Sequence, residues 1–195
     1  MKPVYLSIQA FGSYHKKCEV DFTQPRQNIF LVTGNTGSGK TTIFNAIVYA
    51  LYGERGSSEK LKSTEELQTQ YGNYDLPPEV RFTFSQGVGQ HEKQYTIRRV
   101  PAYKGVKKRG QGLTERPAEV EIRMPDGTYY TKREAEQKIL DLVGLDKRQF
   151  MQVAMIAQGE YMNFLQADSK QKKLIFRELF HTGLYEKIEI SLKDT

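Results

Sequence analysis

Residues 34–41 read Gly34-Asn35-Thr36-Gly37-Ser38-Gly39-Lys40-Thr41, the spacing G-x-x-x-x-G-K-[ST] that cradles the phosphates of a nucleotide. Each residue type has its own task. Gly34, Gly37 and Gly39 let the backbone take conformations that a side chain would obstruct, so successive N–H groups can turn inward on phosphate oxygens. A helix beginning at the end of the loop adds the positive end of its dipole. Lys40 carries the charge for the β- and γ-phosphates, and the Thr41 hydroxyl suits Mg²⁺, with Thr42 the poorer metal candidate. The expected contacts to ATP with Mg²⁺ are therefore Asn35, Thr36, Gly37, Ser38, Gly39, Lys40, Thr41 and Thr42.

Such a loop needs a strand before it and a helix after it. Asn28-Ile29-Phe30-Leu31-Val32-Thr33 suits a short buried strand, and Thr41 to Tyr52 places Ile43, Ile47 and Leu51 at helical spacing. Upstream, Val4 to Phe11 and Cys18 to Phe22 alternate around the polar stretch Gly12 to Lys17, the pattern of a hairpin. Gly53 to Asp75 is polar and reads as surface loop. Alternation returns at Val80–Phe84, Tyr95–Val100 and Val120–Met124, with Asp126-Gly127 turning into Thr128-Tyr129-Tyr130, an antiparallel patch beside the nucleotide core.

The rest is helical. Thr131-Lys132-Arg133-Glu134 has the form of a capping box opening a helix through Ile139, Leu142 and Val143 that ends at Gly144. A run from Arg148 to Ile156 is broken by Gln158-Gly159. A third stretch opens at Asp168-Ser169 and reaches Phe180, and a fourth from Leu184 carries Ile188 and Leu192. The expected organisation is one α/β lobe over 1–195, with a phosphate-loop core (1–53), a β patch (76–131) and a helical part (132–195).

Of the 195 residues 38% are apolar and 27% charged, the balance of a globular chain that buries one core. The longest apolar stretch, Ile43 to Leu51, is interrupted by Asn45 and is far too short to span a membrane. The single cysteine, Cys18, permits no internal disulfide and points to the cytoplasm. His15, His91 and His181 are scattered and have no metal-ligand spacing. A net charge of +6 favours an anionic partner.

Hydrolysis by loops of this kind needs a second element, an apolar strand ending in an acid beside a water-orienting glutamate. The nearest match, Leu142-Val143-Gly144-Leu145-Asp146, contains a helix-ending glycine and is followed by Lys147, so Asp146 is a poor metal-site acid. The loop is thus either an unusual binder or one part of a longer ATPase.

Several segments together resemble the SbcC family, the ATPase subunits of bacterial SbcCD nucleases. They are Phe11-Gly12-Ser13-Tyr14, Val20-Asp21-Phe22, Phe30 to Gly34, Thr41 to Ile47, Tyr49 to Gly53 and, far downstream, Gln149 to Glu160. The resemblance implies the N-terminal lobe of an ABC-type ATPase head, with a mixed sheet around the phosphate-loop helix and C-terminal helices leading to a coiled coil. It further implies a C-terminal lobe supplying the acidic strand and signature motif, a head-to-head homodimer, an SbcD-type nuclease partner, non-specific DNA and a place at the nucleoid. It makes Gln158 the glutamine that touches Mg²⁺ and the attacking water, although Gln158-Gly159 taken alone is only a helix break. Relatives outside bacteria carry a basic residue where Gly12 stands, so a nucleotide contact by that side chain is missing.

The most basic stretch, Tyr103 to Gly112, holds Lys104, Lys107, Lys108 and Arg109 and reads as a loop able to contact a DNA backbone. Two other functions use the same residues differently. A small-molecule kinase would need an acceptor site and an arginine-bearing lid, against which Arg98-Arg99 lie in a strand pattern. A non-catalytic DNA-binding module would not need the intact Lys40-Thr41 pair.

Overall fold

The computed structural model describes residues 1–24, 31–53, 76–107, 111–154 and 168. The chain divides into two compact units, Met1–Gly144 and Leu145–Thr195.

The first unit is a six-stranded sheet with helices on one face. Its strands are β1 (Lys2–Gln9), β2 (Cys18–Asp21), β3 (Glu79–Gln86), β4 (Lys93–Val100), β7 (Glu119–Arg123) and β8 (Tyr129–Thr131), in the order β2-β1-β3-β4-β7-β8. Among the described residues every pairing is antiparallel, where a mixed sheet was expected. The expected hairpin and the expected β patch are therefore one continuous sheet, because β1 pairs with β2 on one side and β3 on the other.

The alternation seen in the sequence settles which side faces the core. Val20, Leu6, Phe82, Ile97, Ile122 and Tyr130 stand opposite one another strand by strand, a nearly apolar row across the sheet. Leu6, Phe82, Ile97 and Ile122 are all buried. On this face lies α1 (Lys40–Tyr52), which contributes Ile43, Ala46, Val48, Tyr49, Ala50 and Leu51 to the core. Beside it lies α2 (Lys132–Val143), which adds Ala135 and Ile139. The opposite face is polar, and on it Arg98 lies between Glu79 and Glu119.

Three local expectations are corrected. Thr131 stands at the N-cap of α2 as expected, but the capping box does not close, since Thr131 makes no side-chain cap bond and pairs with Glu121 in the sheet. The chain enters α2 through Lys132 at φ 53 instead. The reciprocal cap lies at the start of α3 (Lys147–Ala154) in the second unit, where the Gln149 N–H donates to Asp146 Oδ1 (2.8 Å) and the Asp146 N–H to Gln149 Oε1 (2.9 Å). Of the supposed loop over 103–112, Tyr103–Val106 form β5, which pairs with β6 (Leu113–Arg116) in a small sheet of its own, while residues 108–110 lie outside the described residues. Finally, of the expected strand 28–33, residues 28–30 lie outside the described residues, and Leu31–Thr33 carry no strand. Leu31 is 85% exposed. A buried strand needs neighbours to pair its backbone and cover its side chains, and no described strand runs beside it.

Candidate nucleotide site

The phosphate loop leads into α1 through Gly39, which is buried at φ 91 and caps the helix without a side chain. Within the loop the Ser38 N–H donates to Asn35 O (3.1 Å), closing a tight turn. Among the described residues, the N–H groups of Thr36, Gly37, Gly39, Lys40 and Thr41 donate to no backbone carbonyl. A helix start leaves such donors over, and here no capping side chain takes them up. The cradle is thus an unspent set of donors at a positive helix end, which fits a polyphosphate.

Lys40 folds back across the loop and donates to Gly34 O (2.8 Å) and Asn35 O (2.9 Å). An ammonium has three donors, so one remains for an anion held in the cradle. Thr41 is exposed at the mouth. Thr42 points elsewhere, its hydroxyl 3.3 Å from Ser13 Oγ. The geometry distinguishes the two threonines and leaves Thr41 as the one able to hold a metal ion.

The connection between β1 and β2 forms a second wall that local sequence patterns did not reveal. Phe11 and Tyr14 exchange backbone hydrogen bonds of 2.9 and 3.0 Å, which folds residues 11–14 into a tight turn. That turn sits on α1. The Tyr14 hydroxyl donates to Gly39 O at 3.4 Å, and a Cβ added to Gly39 would lie 3.1 Å from the Tyr14 ring. Gly12, at φ 56, comes so near that its Cβ would lie 2.8 Å from the Thr42 methyl. Close approach, as well as the turn, requires glycine there. Phe11 stacks at a tilt on Tyr49, ring centroids 5.1 Å apart. Burial pushes both tyrosine hydroxyls, Tyr14 and Tyr49, above their ordinary range, so both stay neutral donors.

At its other end α1 meets Arg99, also missed from the sequence although a signal was present. Adjacent residues of a strand face opposite ways, so one member of Arg98-Arg99 had to point into the core. Arg99 does, 5% exposed, in the row that contains Ile8 and Val80. It donates to Ala50 O (3.0 Å) and Leu51 O (3.4 Å), and bidentately to Glu136 of α2 (2.6 and 2.9 Å). With both arginines fixed in β4 and paired to carboxylates, neither belongs to a lid.

Of the other anticipated residues, Gln158, Lys108 and Arg109 lie outside the described residues. Lys104 stands opposite Glu115 in the β5–β6 ribbon, and Lys107 lies just beyond Val106, where its N–H bonds Gly112 O. Asp146 is occupied as the cap of α3. Among the described residues no three His, Cys, Asp or Glu side chains are grouped to hold a metal, and no helix is long and apolar enough to cross a membrane.

The chain as a whole is similar to known proteins. The AAA domain family matches residues 5–194. Over 198 residues the chain is 36% identical to the SbcC subunit of the SbcCD nuclease of Vibrio cholerae serotype O1, covering 98% of this chain. It is 33% identical over 199 residues, the whole chain, to the SbcC subunit of the same nuclease from Staphylococcus aureus strain JH9. The chain spans 19% of the length of either relative. The likeness to SbcC read from the sequence is borne out.

Proposed function

The chain belongs to the AAA domain family, and from that premise we propose that it is the ATP-binding lobe of an ATPase serving a DNA-repair nuclease. The observation that carries this reading is the start of α1, where unspent N–H groups, the spare donor of Lys40 and the exposed hydroxyl of Thr41 converge. Lys40 holds the β- and γ-phosphates, the N–H groups of Thr36, Gly37, Gly39, Lys40 and Thr41 surround them, and Thr41 ligates Mg²⁺. The bound Mg²⁺ would neutralise phosphate charge. Gln158 orients the attacking water.

Binding and turnover come apart in this reading. Asp146 is spent on a helix cap and Asp141 accepts from Gln137 one helical turn away, which leaves the acid of hydrolysis to a C-terminal lobe. That lobe also supplies the neighbours that exposed Leu31 lacks. The head is of the ABC type, divided by a coiled coil that begins in the C-terminal helices, and two heads clamp nucleotide between them to control an SbcD-type nuclease on non-specific DNA at the nucleoid, in the cytoplasm. The basic stretch with Lys104, Lys107, Lys108 and Arg109 contacts the DNA backbone, and replacing these four residues by glutamines flattens the salt dependence of DNA binding.

Titration calorimetry with ATP and Mg²⁺ tests the assignment in the full-length protein. Binding in the wild type that is lost in Lys40→Ala supports it; equal heats from both discard the phosphate-loop assignment.

A further inference from the structure

We infer that Arg99 is a positioning residue for the phosphate loop, acting from the opposite end of α1, an inference that rests on the nucleotide-binding reading above. A charged side chain 5% exposed, in an otherwise apolar row of the sheet, is expensive unless every donor is used. Here the donors are used on a single task. Nε takes Ala50 O, Nη2 takes Leu51 O, and Nη1 and Nη2 close the fork on Glu136. Ala50 and Leu51 belong to the last turn of α1, whose carbonyls have no partner further along the helix.

The contact fixes α1 in more than one direction. The guanidinium carbon lies 5.9 Å from the centre of the Tyr49 ring, and Tyr49 in turn stacks on Phe11 of the turn that walls the phosphate loop. Gly53, which ends the helix at φ 71, leaves room for the fork: a Cβ there would lie 2.8 Å from Arg99 Nη1. Glu136 then anchors the fork to α2. The helix is held by carbonyls at its C-terminal end and by a carboxylate on its neighbour, and a rigid rod held there cannot slide or rotate at its other end. That other end carries Lys40 and Thr41, so Arg99 sets where the phosphate donors stand without touching the nucleotide.

The apolar alternative makes the point sharper. A methionine at position 99 would fill the row without a desolvation cost, but would leave two carbonyls unpaired and remove the hydrogen bonds that tie the last turn of α1 to β4. Packing resists separation better than sliding.

The test compares the two neighbouring arginines in the full-length protein by ATP calorimetry, which reads the folded fraction (stoichiometry) separately from the affinity of that fraction. Arg99→Lys, Arg99→Met and Glu136→Gln each weaken ATP binding roughly tenfold at unchanged stoichiometry. Arg98→Met, on the polar face, leaves affinity as it is. Should Arg99→Met fail to fold, Glu136→Gln and Arg99→Lys carry the comparison, since both keep a cation against the helix end. Wild-type affinity in these variants with reduced stoichiometry or melting temperature would overturn the inference and leave Arg99 a stabilising residue only. Absence of ATP binding in the wild type would instead overturn the nucleotide assignment, so the two failures are distinct.

Discussion

The two ends of α1 are treated in opposite ways. At the start, Gly39 supplies no capping side chain and several N–H groups have no backbone acceptor. At the finish, the Gly53 N–H bonds Tyr49 O at 2.8 Å and buried Arg99 takes up the carbonyls of Ala50 and Leu51. A helix end that is to receive a ligand has to be left chemically incomplete, which costs stability, while the end that anchors it can be saturated. The two requirements are met on one helix of 13 residues, so a change at the open end alters nucleotide affinity alone, whereas a change at the anchored end lowers stability as well.

Loss of charge at the open end has the largest effect. Lys40→Ala is expected to weaken ATP binding by about a hundredfold, the scale of a lost charge-assisted contact, while leaving the melting temperature without nucleotide unchanged. At the saturated end a loss of stability joins the smaller loss of affinity: Arg99→Met lowers unfolding free energy by about 2–3 kcal/mol in urea titration, through two unpaired carbonyls and an unpaired Glu136. A melting curve that responded equally to both substitutions would dissolve the contrast. Gly53→Ala comes next. Its backbone at φ 71 and the nearness of Arg99 Nη1 predict a loss of about 1–2 kcal/mol by the same titration.

A third helix end gives the smallest effect. The start of α3 is closed by Asp146, so Asp146→Ala costs about 1 kcal/mol, read as faster amide exchange at residues 147–149. Turnover of the full-length ATPase stays at the wild-type level. A collapse of turnover with the amides still protected would make Asp146 the missing acid.

Elements whose signal is local were legible in the sequence. Apolar residues at helical spacing located α1, Gly144 marked the stop of α2, and strict alternation gave the strands β1, β3, β4 and β7, because period and turn chemistry act over a few residues. Features decided by distant partners were not. Thr131 holds the N-cap but pairs with Glu121 in the sheet and closes no side-chain box, and Leu31–Thr33 looked like a strand although strand character depends on neighbours. The site divides the same way. Residues 34–41 announce themselves, whereas Ser13, Tyr14 and Arg99 reach α1 from other parts of the chain. Only the adjacency of Arg98 and Arg99 hinted that one charge must be buried.

The pairing of β1 between β2 and β3 also sets an order of events during synthesis. Roughly seventy residues separate Gln9 from Glu79, and at about 5–20 residues per second the ribosome needs on the order of 4–15 s to deliver them. Throughout that interval the first two strands are a lone hairpin, a structure of marginal stability in water, with Leu6 and Ile8 uncovered. The phosphate loop and α1 emerge in the same window, before β3 and β4 exist to support them. The cradle therefore gains the support of β3 and β4 only once the fourth strand is out, and until then the hairpin presents an open β1 edge to other chains.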